Sequence, residues 1–546
     1  LELTAEQARV LMLYRRMFIR AGARLDDAAS ARMTAIKGRL ASLGTQFTQN
    51  LLADERDWFM PLDDLAGLPE FLIASAAADA RERGQDGHVI TLSRSLIVPF
   101  LQYSPRRDLR RRAYEAWVVR GARGGETDNR AIAAEILALR AERASLLGYA
   151  SFADYKLETE MARTPQAVRD LLMRVWEPAR RAALADAQAM EALLLADGQP
   201  APLQPWDWRY YAEKRRQALH DFDEAALKPY LPLDAMIAAA FDVAHRLFRL
   251  EFRPLDVPLH HPDARAWEVT REGRHMAVFI GDYFARSSKR SGAWCSTMRG
   301  QRKLGGEVRP IVVNVCNFAK GDPALLSWDD ARTLFHEFGH ALHQILSDVT
   351  HGFISGTSVA RDFVELPSQL YEHWLDVPEV IERHARHWQT GAPMPLDLRA
   401  KLKAASTWDQ GFATVEYIAS AMVDLAFHEG PPPADPMQKQ AEVLEGIGMP
   451  AAIRMRHATP HFAHVFSGDG YSSGYYSYMW SEVMDADAFA AFTEAGDPFD
   501  PETAAKLERH ILAAGGSDEG EALYTAFRGR MPGVEALLEG RGLRES

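Results

Sequence analysis

The chain has 546 residues, 47% of them hydrophobic and 25% charged, and carries a net charge of −12 from 75 acidic and 63 basic side chains. That length and balance suit a globular protein with a large core divided over two or more coupled subdomains, and the acidic excess argues against a general nucleic-acid binder. Two cysteines, Cys295 and Cys316, cannot form a disulfide framework and are expected as buried apolar thiols, while no apolar run approaches the roughly 20 residues of a membrane span.

The first half reads as helix after helix. Met33, Ile36, Leu40, Leu43, Phe47 and Leu51 recur at steps of three and four, an amphipathic stripe that belongs to core packing. Ile132, Ile136, Leu139 and Leu146 repeat it, and Gly148 suits the helix end. Thr164 followed by Pro165 predicts an N-cap with proline at the first helical position. Residues 198–208, GQPAPLQPWDW, hold three prolines and no helical period, and predict a loop or hinge. From about 251 to 318 the pattern turns β-rich. Trp267 to Thr270 and Met276 to Ile280 flank REGRH as a hairpin, and Ile311 to Cys316 is a further strand. From 327 onward helices return. The expected domains are therefore residues 1–250, mainly helical, and 251–546, containing a small sheet at 266–318, two helices within 327–376 and a tyrosine-rich loop at 464–480.

Ser327 and Asp330 resemble a capping box at the start of a helix of about 20 residues. On it lie His336, Glu337 and His340, an HExxH pattern. Residues four apart share a helix face, so both imidazoles can reach one tetrahedral metal ion, and Glu337 can act on water beside it without being a ligand. A catalytic zinc site needs a third protein ligand. Position 346, where a third histidine would stand in one class of zinc peptidase, is Leu346. A carboxylate from a second helix remains, and ARDFVEL offers Asp362 and Glu365, with a slight preference for Glu365. The other would then bond the free N–H of a ligand histidine, as would Glu372. His343, one turn beyond His340, is expected to be packed and not to be a ligand.

The stretches FHEFGHALHQILS and FISGTSVARDFVELPSQLYEHW resemble the M3 zinc oligopeptidases of the thimet oligopeptidase and neurolysin type, and within them the bacterial peptidyl-dipeptidase branch. DYFARSSKRSGAWCS at 282–296, GDGYSSGYYSYMWSEVMDADAF at 468–489 and ALYTAFRGRMPGVEALLEGRGL at 522–543 extend the likeness over essentially the whole chain. Because the opening matches the family's interior, about a hundred N-terminal residues are expected to be missing. The resemblance implies Glu365 as the third ligand of a single Zn2+, and a mostly α, ellipsoidal body with a deep channel and one small sheet next to the zinc helix. It also implies that Tyr471 and Tyr478 face the substrate, with His464 as a further contact and Tyr475 beside them.

The implied activity is hydrolysis of short peptides, with release of C-terminal dipeptides ahead of internal cleavage. Glu337 serves as the general base, and Tyr478 as a hydroxyl donor to the developing oxyanion. A zinc aminopeptidase has a shorter gap to the glutamate and a motif for the free amine that is not seen here; N-blocked peptides would discriminate. A non-catalytic peptide-binding scaffold is the remaining alternative. Oligopeptides are the expected partners, with neither nucleic acid nor membrane. A monomer in the cytoplasm is expected, with the periplasm open because of the missing N-terminus. An outer strand near Ala293 to Ser296 is a candidate for pairing with an extended substrate.

Overall fold

The computed structural model describes residues 2–285, 292–318 and 320–544, so positions 286–291 of the 282–296 segment lie outside the described residues. The fold is mostly α, with a five-stranded and a two-stranded sheet. The chain forms two compact units that interleave in sequence. One comprises residues 1–21, 222–404 and 477–540, the other residues 22–221, 405–476 and 541–546.

The second of these is helical apart from the short antiparallel pair β1 (Phe59–Pro61) and β2 (Val89–Thr91). Asp26 caps the helix Asp27–Asp57 by accepting from Ala29 N–H at 2.8 Å. Met33, Ile36, Leu43, Phe47 and Leu51 of the expected stripe are buried, while Leu40 is only partly so. This helix packs on Arg130–Leu146. Thr164 caps Pro165–Ala196 through Ala167 N–H at 3.2 Å, and that long helix lies against Gln410–His428. A Cβ on Gly411 would stand 2.7 Å from the backbone nitrogen of Ala183, so the approach of these two helices depends on glycine.

The first unit contains the larger sheet, in the order β3-β4-β5-β7-β6. Its strands are β3 (Glu251–Pro254), β4 (Arg265–Arg271), β5 (Arg274–Phe284), β6 (Trp294–Arg299) and β7 (Ile311–Phe318). β4 and β5 form the expected hairpin, longer than its apolar cores. Its two-residue turn, Glu272-Gly273, has φ of 51° and 78°, as the mirror-image turn that matches strand twist requires. β5 pairs in parallel with β7, and β6 closes the sheet as an outer antiparallel strand on β7. Cys316 is buried in β7. Cys295 departs from expectation: the outer strand has one neighbour, and its thiol side chain is half-buried. Among the described residues no helix is long and apolar enough to cross a membrane.

The helix Trp328–Ile345 crosses β7 and β6. The capping box is present, with Asp330 N–H to Ser327 Oγ at 3.0 Å and Ser327 N–H to Asp330 Oδ2 at 3.1 Å. Its core face is apolar, and Phe338 meets the rings of Phe241, Phe252 and Phe279 at 5.5, 5.6 and 5.2 Å between centroids. Such contacts anchor the helix on the side away from its polar residues.

Candidate metal centre

His336 and His340 leave the Trp328–Ile345 helix on one face, their ring centroids 5.1 Å apart. The chain then returns through two short helices, Arg361–Val364 and Leu366–Glu372, which meet at Glu365. Pro367 accounts for the break, since its nitrogen cannot donate to the carbonyl four residues back and its ring crowds that turn. The break sets Glu365 at a corner, facing both rings. Glu365 Oε2 lies 3.4 Å from His336 Nε2 and 3.1 Å from His340 Nε2, and ligand atoms of the three residues fall within 4.8 Å of one another.

Further side chains hold this trio. Glu372 Oε1 takes a 2.7 Å bond at His336 Nδ1, which fixes the tautomer and turns Nε2 toward Glu365. Ser368 Oγ donates to Glu365 Oε2 at 3.1 Å and to its backbone carbonyl at 2.8 Å. Burial alone would lower the His336 pKa, but hydrogen bonds to Glu365 and Glu372 outweigh it and hold the ring well above its ordinary value. Glu365 is the complement: burial pushes its carboxyl up, and bonds from His336 and His340 bring it well below the usual range. Two imidazole nitrogens and a carboxylate oxygen at these separations fit a tetrahedral site for one divalent cation with an open position. The cation would replace the protons that now join the three groups.

Glu337, 5% exposed, stands beside this trio without contacting it. Its Oε2 is buried with no hydrogen-bond partner among the described residues. Burial raises its pKa, against the pull of His336 and His340. Glu337 lies close enough to β6 that its charge is felt by the Cys295 thiol, which burial pushes up. His343 is fully buried and forms no part of the trio; burial lowers its ring to about 3.

The other expected residues fall into two groups. Asp362 is fully buried, and its backbone carbonyl accepts from Ser481 Oγ at 2.7 Å. Tyr478 lies in the first turn of the helix Ser477–Ala495, and its carbonyl accepts from Gln369 Nε2 at 3.2 Å. His464, Tyr471 and Tyr475 form a group of their own in the other unit, with the His464 ring 5.7 Å from Tyr471 and 5.3 Å from Tyr475.

Sequence reasoning missed Ser368 and Gly339. Ser368 is a small polar residue three positions after a ligand, a spacing that could have pointed to it. Gly339 lies inside the HEFGH segment. A Cβ there would come within 2.5 Å of Pro367 O and 2.7 Å of Ser368 Cα. Only hydrogen at this position lets the Leu366–Glu372 helix approach closely enough for Glu365 to reach both rings.

Residues 100–543 match the profile of Peptidase family M3. The chain is 37% identical to the dipeptidyl carboxypeptidase of Escherichia coli (strain K12), over all of this chain and 81% of that protein. It is 35% identical to oligopeptidase A of the same organism, over 97% of this chain and 80% of that one. Among solved structures, PZ peptidase A shares the fold, with a TM-score of 0.55 at 14% identity over 95% of this chain and 76% of that one.

Proposed function

Because the chain belongs to peptidase family M3 and is a peptide-hydrolysing metallopeptidase, we propose that His336, His340 and Glu365 hold one Zn2+ and that Glu337 is the general base. The convergence of two Nε2 atoms and Glu365 Oε2 carries this reading. A bound Zn2+ supplies Lewis acidity for the scissile carbonyl and for the attacking water.

The chain's own groups do the rest. Glu365 would complete the ligand set, and Glu372, bonded at Nδ1, orients the His336 ring and raises its basicity toward a cation. Glu337 takes a proton from the attacking water at its unpartnered Oε2 and hands it to the leaving amine. Burial suits it to that task, because a carboxylate held out of solvent is a stronger base than a hydrated one. Tyr478 is the proposed hydroxyl donor to the oxyanion, and His464, Tyr471 and Tyr475 contact the peptide. The outer strand β6, adjacent to Glu337, offers backbone groups to an extended substrate. Asp362 is buried but does not make the bond to a ligand histidine expected of it: His336 Nδ1 is taken by Glu372, and His340 Nδ1 has no partner among the described residues.

The preferred activity is release of C-terminal dipeptides, as the name of the 37%-identical E. coli protein suggests; internal cleavage is the second reading, favoured by the likeness to oligopeptidase A. Mass spectrometry of products from an N-blocked nonapeptide separates them. Sequential loss of two residues from the C-terminus supports the first, and a single internal cut overturns it. Elemental analysis of the purified enzyme tests the metal, and less than one zinc per chain at full activity would sink that assignment.

A further inference from the structure

The unit formed by residues 22–221, 405–476 and 541–546 contains a recess to whose lining the proposed reaction assigns no residue, although the charge of Arg456 reaches His464 and Tyr475. Arg94, Arg120, Arg209, Arg454 and Arg456 line it, with Glu416 as the carboxylate of the lining. It encloses a cavity of ≈ 20 Å³, and a site needs only about 10–15 Å³ to hold one water-sized occupant.

The charges around this cavity do not balance. Glu416 accepts from Arg456 Nη1 at 3.2 Å and lies 3.5 Å from Arg209 Nη2. Glu55 pairs with Arg120. Among the lining side chains one carboxylate, Glu416, therefore faces five guanidiniums, while Glu55 and Asp54 act on Arg120 and Asp409 acts on Arg209 from outside the lining. The guanidiniums of Arg120 and Arg209 sit 5.7 and 5.6 Å from the Trp117 ring centre, held against its face. The crowding is felt at Arg94, whose guanidinium is lowered to about 10 by desolvation and by the like charges of Arg456 and Arg209, although part of its side chain reaches solvent.

Two further side chains on the same cavity lack well-formed hydrogen bonds. Trp117, 9% exposed, has its Nε1–H buried with no acceptor among the described residues. His461, 7% exposed, has both ring nitrogens buried with no well-formed hydrogen bond, a weaker interaction with the Val118 backbone apart. A buried donor without an acceptor costs on the order of 1–3 kcal/mol. A water molecule could satisfy one such donor, but it cannot offset a surplus of guanidinium charge. A small anion does both. The enclosed volume matches a halide or the head of a carboxylate.

We propose that this recess binds one compact monovalent anion, a halide ion or a carboxylate group, through Trp117 Nε1–H, the His461 imidazole and the surrounding guanidiniums. The test is titration of chloride into the full-length enzyme at constant ionic strength, balanced with sulfate, read by chlorine NMR line broadening. Saturable broadening that acetate displaces is expected. Trp117→Phe and Arg120→Gln should each weaken binding about tenfold, the usual loss for one donor to an ion. Arg454→Gln changes an exposed rim residue and provides a folded variant where the buried substitutions do not. Competition with a short free-acid peptide and with its C-terminal amide separates the sources. Displacement by the acid alone assigns the site to a peptide carboxylate, and displacement by acetate but by neither peptide assigns it to a free anion. Broadening that is absent, does not saturate, or is unchanged in Trp117→Phe and Arg454→Gln overturns the proposal.

Discussion

The metal corner and the arginine recess are both polar clusters set into apolar surroundings, and they differ in sign. At the corner, two imidazoles are surrounded by the carboxylates of Glu337, Glu365 and Glu372. In the recess, five guanidiniums share the lining with Glu416, and Glu55, Asp54 and Asp409 act on two of them from outside it. Like charge gathered in one place is costly even where part of it reaches solvent, as at Arg94 and Arg454, so the sign of the surplus indicates the sign of the missing partner: a cation at the corner, an anion in the recess. They differ equally in how the chain builds them. The corner comes from one stretch between Ser327 and Glu372, whereas the recess is gathered from segments near residues 94, 120, 209, 416 and 455.

Substitutions can break this comparison at either end. The largest effect should come from Glu337→Gln, which is expected to lower kcat by about 10²–10⁴ while metal content by elemental analysis stays unchanged; an active variant would remove Glu337 from the chemistry. Tyr478→Phe should cost about 10²–10³ in kcat with little change in KM, read by steady-state cleavage of a blocked peptide. If KM rises and kcat does not move, the hydroxyl binds substrate and does not serve the oxyanion. Glu372→Gln should weaken metal affinity about 10–100-fold, measured by competition with a chelator, because it holds His336 by its far nitrogen.

The smallest effect sharpens the other end. Burial and the charge of Arg120 lower His461 to about 3 in the folded chain, from an ordinary 6.5. Between those values the unfolded chain binds the proton and the folded chain does not, so stability rises with pH through that window. From pH 7 to pH 5 this residue should cost about 2 kcal/mol of stability, seen as a loss in urea midpoint that His461→Phe reduces. A bound anion favours the protonated ring, so saturating chloride should shrink the same slope. A slope that responds to neither change would place His461 outside any such pairing.

The corner was legible because its chemistry depends on local spacing. His336 and His340 at four residues, Ser327 and Asp330 at three, and the β4–β5 hairpin are all patterns of one element or one turn. The choice between Asp362 and Glu365 was not local. It depended on the helix break at Pro367 and on the bare Cα of Gly339, which together aim one carboxylate at the rings, and periodicity sees neither. Arginines at 94, 120, 209, 454 and 456 carry no common spacing at all. Each reads as a solvated surface charge until tertiary packing collects them.

The interleaving of the two units bears on how the protein is made. Arg9 in the helix Ala5–Ala21 pairs with Glu519, and Glu6 accepts from the backbone of Thr350. Residues of this helix thus find partners 344 and 510 positions later in the chain. Each unit draws on segments from both sides of the other, so neither core can be completed from one continuous stretch, and a nascent chain must keep both unfinished cores from aggregating while the intervening segments are made. By the same logic no single cut releases either half as an autonomous piece, so dissection of this enzyme calls for circular permutation rather than truncation.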